Sequence, residues 1–284
     1  MAEDEEFGEF MGLVDRNRLP HPEVIEVSVE GDIGIIEMNE PERMNPLGVN
    51  EMHMHYALLE LHANTDVRVV ILTGRGRAFC AGADIRPTYH KGGHDELGWS
   101  RGARLAYKYA FGNFWETLHN FPKPLIAAVG GYALGGGWEV AHLCDWVLAG
   151  DDAVFGAVEI DIGLIPFAST CNYLVKTIGK HRAIDLVVNA RKIDAQQALE
   201  WGLVNKVVPR AQLMDEARAL AREIADRPPL SVAACKQLVV KAMDVMEDYE
   251  LERALAHTLM TTEDAQIARE AIVKREARPV FKGA

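Results

Sequence analysis

Residues 124–145, Pro-Leu-Ile-Ala-Ala-Val-Gly-Gly-Tyr-Ala-Leu-Gly-Gly-Gly-Trp-Glu-Val-Ala-His-Leu-Cys-Asp, constrain this chain more than any other stretch. An apolar, strand-like run leads into Gly135-Gly136-Gly137, and the carboxylate of Glu139 follows closely. Consecutive glycines carry a large backbone-entropy cost, so such a run points to close backbone approach or an unusual turn. A helix opening near Gly136 aims its first amides outward as donors, because they have no intrahelical acceptor. Glu139 then lies one turn further on, on the side of Gly136. A hydrogen-bond donor and a proton-transfer group would face one pocket.

The rest of the chain bounds what such a pocket serves. With 284 residues, 49% hydrophobic and 25% charged, the composition is globular with a sizeable core. A net charge of −12 argues against nucleic acid as a partner. It leaves room for an anionic small ligand on a local basic patch. The opening Met-Ala-Glu-Asp-Glu-Glu is unlike a signal or transit peptide, and residues 124–138 are too short and glycine-rich to span a bilayer. Cys80, Cys144, Cys171 and Cys235 lack the spacing of a zinc site or a disulfide framework. The expectation is a cytoplasmic protein with no metal and no membrane partner.

Residues 1–22 form an acidic lead-in. Strands are expected at 24–29 and 32–38 around a Glu30-Gly31 turn, and at 67–73, 124–129, 145–149, 153–155 and 203–208. Helices are expected at 49–63, 103–120 and 195–201, the last between a capping-box-like Asp194/Gln197 start and Gly202. From 211 onward the pattern is helical, over 211–226, 230–247, 249–260 and 263–276, with Thr261-Thr262 as a breaker. Strands alternating with helices and then a run of helices imply an α/β core over 23–210 and a helical region over 211–284.

Several site chemistries fail on spacing. Thr73-Gly74-Arg75-Gly76-Arg77 follows a strand, but Phe79 stands where a dinucleotide fingerprint needs its third glycine, and no P-loop is present. The G-x-S-x-G elbow of serine hydrolases is missing. His53 and His55, two apart on a helix, point to different sides and read as exposed or capped rather than metal-binding. Ser169 and Cys171 read as packing residues. Glu159 sits in apolar surroundings after a short strand, but a lone glutamate there reads first as an ion-pair or capping group, and the same holds for Glu139. Spacing alone does not pair them.

The segments Phe79-Cys-Ala-Gly-Ala-Asp-Ile85, Lys123–Asp145 and Phe155–Pro166 together resemble the enoyl-CoA hydratase/isomerase (crotonase) superfamily. Ala198–Val208, Lys274-Arg275 and Phe281-Lys282 agree in order, so the resemblance runs from about residue 24 nearly to the end. It implies an α/β, crotonase-like spiral of ββα units with a helical C-terminal oligomerisation region that builds homo-oligomers, trimers or dimers of trimers. It also implies an acyl-CoA thioester as substrate, no cofactor beyond the coenzyme A carried by that substrate, and a place in fatty acid metabolism. By position, the backbone amides of Ala83 and Gly136 resemble the oxyanion hole, and Glu139 and Glu159 the two hydratase carboxylates. Ala81, Asp84 and Ile85 fall where substrate is bound, and Lys274 matches a basic residue that helps hold CoA phosphates.

The implied reaction is addition of water to a 2-enoyl thioester, or its reverse. Preorganised amides stabilise the enolate oxygen more than the ground-state carbonyl, each worth about 3–4 kcal/mol in tested cases. Glu139, near a helix N-terminus, is expected to activate water, and Glu159 to protonate carbon. Keeping both carboxylates favours a hydratase over isomerases, which commonly keep only the second. Isomerisation, thioester or C–C hydrolysis of a cyclic or bulky substrate, and a non-catalytic acyl-CoA scaffold are the alternatives. After Pro166 relatives typically run Gly-Ala-Gly-Gly-Thr-Gln-Arg-Leu, whereas this chain has Phe167-Ala-Ser-Thr-Cys-Asn-Tyr-Leu174. Phe167 and Trp138 are thus pocket candidates, read either as packing changes or as a reshaped acyl site. Tyr89, Trp99 and Tyr107 are candidates for a lid.

Overall fold

A computed structural model of the chain describes residues 19, 21–85, 114–243, 258, 260–277 and 279. Strands β1 (Ile25–Glu30) and β2 (Ile33–Met38) form an antiparallel hairpin with Glu30 opposite Ile33. Gly31 takes φ 64° in the connecting turn, a conformation that suits glycine. From the third strand to the eighth the chain alternates between two sheets. β3 (Val69–Gly74), β5 (Leu125–Val129), β7 (Trp146–Gly150) and β10 (Lys206–Val208) extend the first in parallel, in the order β1-β2-β3-β5-β7-β10. β4 (Ala78–Cys80), β6 (Tyr132–Leu134) and β8 (Val154–Gly156) run parallel in the second, and β9 (Lys192–Asp194) closes it antiparallel to β8. Successive turns of this spiral lay one strand on each sheet.

Helices fill the turns: α1 (Val49–Ala63), α2 (Phe114–His119), α3 (Gly136–Leu143), α4 (Thr170–Ile178), α5 (Lys180–Val188) and α6 (Ala195–Glu200). α7 (Leu213–Ala225), α8 (Pro229–Met243) and α9 (Glu263–Lys274) follow β10. The Asp194 carboxylate caps α6 by accepting from the Gln197 amide at 2.8 Å. Thr262, expected as a breaker, caps α9 by accepting from the Ala265 amide at 3.2 Å. The helices expected at 103–120, 230–247 and 249–260 fall partly, and the lid candidates Tyr89, Trp99 and Tyr107 wholly, outside the described residues.

Burial on both faces explains the unbroken apolar runs of the central strands. Val69 and Ile71 of β3 face α7, which presents Leu213, Ala217, Ala221 and Ala225 at four-residue intervals. Val70 and Leu72 face the other way, into the core shared with the second sheet. α7 therefore belongs to the α/β core, although its sequence position suggested the C-terminal helical region. One polar side chain binds the layers together. Asn45 is wholly buried, its Nδ2 donating to the carbonyls of Arg75 (3.0 Å), Ala78 (2.8 Å) and Phe79 (3.2 Å), its Oδ1 accepting from the Glu40 amide at 2.8 Å. Asn45→Ala strands those buried groups and is expected to cost about 2 kcal/mol, read as a lower denaturation midpoint with an unchanged slope.

His53 and His55 correct an expectation, because both are fully buried rather than exposed. Desolvation holds His55 down to about 4, and His142, whose Nε2 lies 2.8 Å from Thr170 Oγ1, down to about 3. An unfolded histidine protonates near 6.5. Both groups therefore lend stability that is complete above about pH 6.5 and is lost as the pH falls toward 4, where only the unfolded chain binds the proton. Glu51, raised to about 7 by burial, opposes this trend over the same range. His142→Gln is expected to flatten the fall of melting temperature between pH 6.5 and 4.5 relative to the parent.

Candidate active site

β4, β6 and β8 are parallel neighbours, so their C-terminal ends open at one edge of the second sheet. Ligands commonly bind at such edges. β4 leads into Ala81–Ala83, β6 into the triple glycine and α3, and β8 into Glu159. Three segments far apart in sequence meet there because the spiral stacks their strands.

The first of them is shaped by Leu47. Its amide donates to the Gly82 carbonyl at 2.8 Å and its carbonyl accepts from the Asp84 amide at 3.0 Å, a single parallel bridge between Leu47 and Ala83. In that pattern the Ala83 amide faces away from Leu47. Gly82, at φ 92°, lies against the glycine turn, where an added Cβ would stand 2.8 Å from the Leu134 carbonyl and 3.3 Å from the Gly136 nitrogen. The Ala83 and Gly136 amides thus belong to two backbone segments in direct contact. Gly135 precedes α3 at φ 52°, ψ −128°, and its carbonyl accepts from the Trp138 (2.8 Å) and Glu139 (3.1 Å) amides. Gly136, as the first helical residue, keeps an amide with no intrahelical acceptor.

Both carboxylates border that turn. Glu139 is 3% exposed in the first turn of α3, and its Oε1 accepts from the Phe167 amide. Glu159 opens a short 3-10 turn, Glu159–Ile162, closed by Gly163 at φ 70° and by the Leu164 amide donating to the Glu159 carbonyl at 3.0 Å. Its two side-chain oxygens are shielded from bulk water. Glu159 Oε1 lies 3.1 Å from where a Cβ would begin at Gly135, and Glu139 Oε2 lies 3.6 Å from the same point at Gly136. Two acids therefore abut neighbouring residues of one turn, beside outward-facing amides. Such an arrangement can stabilise an oxyanion and exchange protons with a bound water.

The other expected residues separate. The Ala81 amide donates to the Met44 carbonyl at 3.0 Å. Asp84 is committed to Arg43, which also pairs with Glu40 at 2.5 Å, so its side chain braces the loop. Ile85 is the last residue described before residue 114. Trp138 is buried in the core, 6.2 Å from Phe155 between ring centroids, which supports the packing reading of that change. Phe167 is only partly buried; its ring meets Trp115 edge-on at 6.0 Å, while its backbone holds Glu139. Lys274 ends α9 in the open, 3.4 Å from Glu270, and Phe281 and Lys282 lie outside the described residues. Burial pushes the Cys80 thiol up to about 12, which removes it as a nucleophile. Leu47 escaped the sequence reading, since an apolar residue before a helix carries no signal that its backbone orients an amide elsewhere.

The family model for enoyl-CoA hydratase/isomerase matches residues 28–283. This chain belongs to that family. Among family relatives, a protein named probable enoyl-CoA hydratase from Mycobacterium bovis is 36% identical over 90% of this chain and 96% of its own length. A mitochondrial enoyl-CoA hydratase of Pongo abelii is 35% identical over 86% of this chain and 81% of its own. The crystal structure of a carnitinyl-CoA hydratase from Mycobacterium avium matches with a TM-score of 0.79 at 31% identity, covering 92% of this chain and 99% of that one. The spiral of paired strands is therefore the fold of the enoyl-CoA hydratase/isomerase family.

Proposed function

We propose that this family member adds water across the double bond of a 2-enoyl-CoA thioester, or runs the reverse dehydration. The observation that carries the reading is the convergence of three parallel strand ends on one turn bordered by two glutamates. The thioester oxygen lies between the amides of Ala83 and Gly136, which stabilise the enolate that forms as water adds. Glu139 takes a proton from the water while its oxygen bonds to the β-carbon, and Glu159 gives a proton to the α-carbon. The product gains the elements of one water, leaving Glu139 protonated and Glu159 ionised, and proton exchange between the acids or with solvent restores their starting states. Coenzyme A enters with the substrate, so no further cofactor is needed. Lys274, solvent-facing and, among the described residues, held by a weak surface pair with Glu270, is available to the CoA phosphates.

Loss of the conjugated-thioester absorbance of crotonyl-CoA tests the reaction directly. Steady loss with 3-hydroxyacyl product supports hydration, and an unchanged spectrum across short, long, branched and aromatic enoyl-CoAs overturns it. Running 3-enoyl and cyclic β-keto thioesters alongside separates hydration from isomerisation and C–C hydrolysis.

Assembly into a homo-oligomer, trimer or dimer of trimers, is part of the same reading. α8 exposes Leu230, Leu238 and Val239 by 85%, 70% and 65%. It is pinned by Lys236, whose Nζ lies 2.6 Å from Asp145 and 2.8 Å from the Lys123 carbonyl. A pinned helix with an apolar outer face suits a subunit contact. Light scattering is expected to give a multiple of the 31.4 kDa chain, and Leu238→Asp to lower it.

A further inference from the structure

The segment that holds Glu139 is itself held by side chains to which the hydration gives no part. Phe167–Thr170 is a tight turn, closed by the Thr170 amide donating to the Phe167 carbonyl at 3.0 Å. Its two central residues, Ala168 (φ 50°) and Ser169 (φ 59°), both lie in the left-handed region. A turn of that kind ordinarily recruits glycine or asparagine, so alanine and serine there are strained. Such a backbone persists only where its surroundings over-determine it. Ala168, Ser169 and Thr170 are all buried.

Thr170 and His142 supply that constraint. The Thr170 hydroxyl donates to the Phe167 carbonyl at 2.8 Å, a second donor on the same oxygen. With its proton so committed, Thr170 Oγ1 accepts from His142 Nε2 at 2.8 Å. The imidazole is buried and neutral, in the tautomer that carries its proton on Nε2. Tyr173 fixes its orientation by stacking on it, with 4.4 Å between ring centroids and 9° between planes. His142 lies one turn beyond Glu139 on α3, so one helix carries both the acid and the far end of this hydrogen-bonded chain.

The near end is the Phe167 amide, which donates to Glu139 Oε1. Glu139 Oε2 lies instead beside Gly136, 3.6 Å from where a Cβ would stand. The two oxygens of the acid are thereby distinguished, one anchored on backbone and the other turned toward the glycine turn. Rotation of the Phe167 amide would release the first and spoil the aim of the second.

We propose that Thr170 and His142 are positioning residues for Glu139, locking the strained 167–170 turn so that the Phe167 amide anchors Oε1 and leaves Oε2 to the attacking water. This rests on the hydration reading for the role of Glu139. Both side chains act through residue 167 and take no part in the proton transfers.

The test is crotonyl-CoA kinetics on full-length variants. Thr170→Val, the same shape without the hydroxyl, and His142→Leu, without the N–H, are each expected to lower kcat about 10-fold with KM within about three-fold of the parent. Thr170→Ser and His142→Gln, which keep a hydroxyl and an N–H donor, are expected to recover most of that loss. In a Glu139→Gln background Thr170→Val is expected to change kcat by less than about two-fold, because no base remains to be aimed. A parent-like kcat in Thr170→Val, or an equal loss with and without the Glu139 carboxylate, would overturn the proposal. Hydrogen exchange at the Phe167 amide, expected to quicken about 10-fold in Thr170→Val and not in Thr170→Ser, needs no turnover. A failed hydration reading therefore shows separately, as an unchanged crotonyl-CoA spectrum in the parent, while exchange still judges the turn.

Discussion

Glu139→Gln and Glu159→Gln are each expected to slow hydration of crotonyl-CoA by about 10²–10⁴-fold while acyl-CoA affinity stays within a few-fold. Glutamine keeps the shape and one oxygen of each side chain but can neither take up nor give a proton as a carboxyl does. At position 139 the amide oxygen can still accept from Phe167, so the local fold is preserved and the loss reports chemistry. Both acids border the same glycine turn, and the double variant should lose less than the product of the single effects, since groups acting as a unit are not additive. Near-parent kcat in either single variant would remove that residue from the proton transfers.

Gly137→Ala should be the most damaging single methyl in the molecule's active region. A Cβ there would overlap the Cys80 carbonyl oxygen, and this atom belongs to backbone that cannot swing aside. The expected cost is about 3–5 kcal/mol, a fall in melting temperature of roughly 6–20 °C for a chain of this size. Gly136→Ala differs. Its methyl meets Leu47 Cδ1 at 2.5 Å, the end of a flexible side chain that can rotate. That variant is expected to fold with a smaller thermal penalty and to lose turnover instead, because Leu47 also sets the bridge that orients Ala83. Thermal melts and crotonyl-CoA kinetics on the two variants, taken together, separate a packing role from an oxyanion role. Equal melting temperatures would contradict the geometry.

Much of this was legible before any coordinates. The glycine run signalled its own turn, and the central strands β3 and β5 announced themselves as apolar runs too long for chance and too short for helices. The second sheet was the blind spot. β4, β6 and β9 are three residues each, shorter than any alternation can show, and they exist only through pairing with distant strands. α4 and α5 also went unforeseen, because α4 starts after the unusual positive φ of Ala168 (50°) and Ser169 (59°) rather than at a capping side chain. His53 and His55 misled for another reason. α1 is covered on several sides, so every residue from Met52 to Leu58 is buried and no polar face survives to be read. The acids could be found singly from sequence, but their meeting on one turn follows from strand order, which no local pattern contains.

Gly163, which ends the Glu159 turn, sits so tightly on α9 that an added Cβ would stand 2.8 Å from Ala265 Cα. The last helix among the described residues is thus a buttress for the turn that carries Glu159, the proton donor in the proposed hydration. Under the proposed mechanism, whatever loosens or steadies that helix sets how firmly the acid is aimed, so a distant stretch of the polypeptide has a hand in the proton transfer without meeting the reacting carbons.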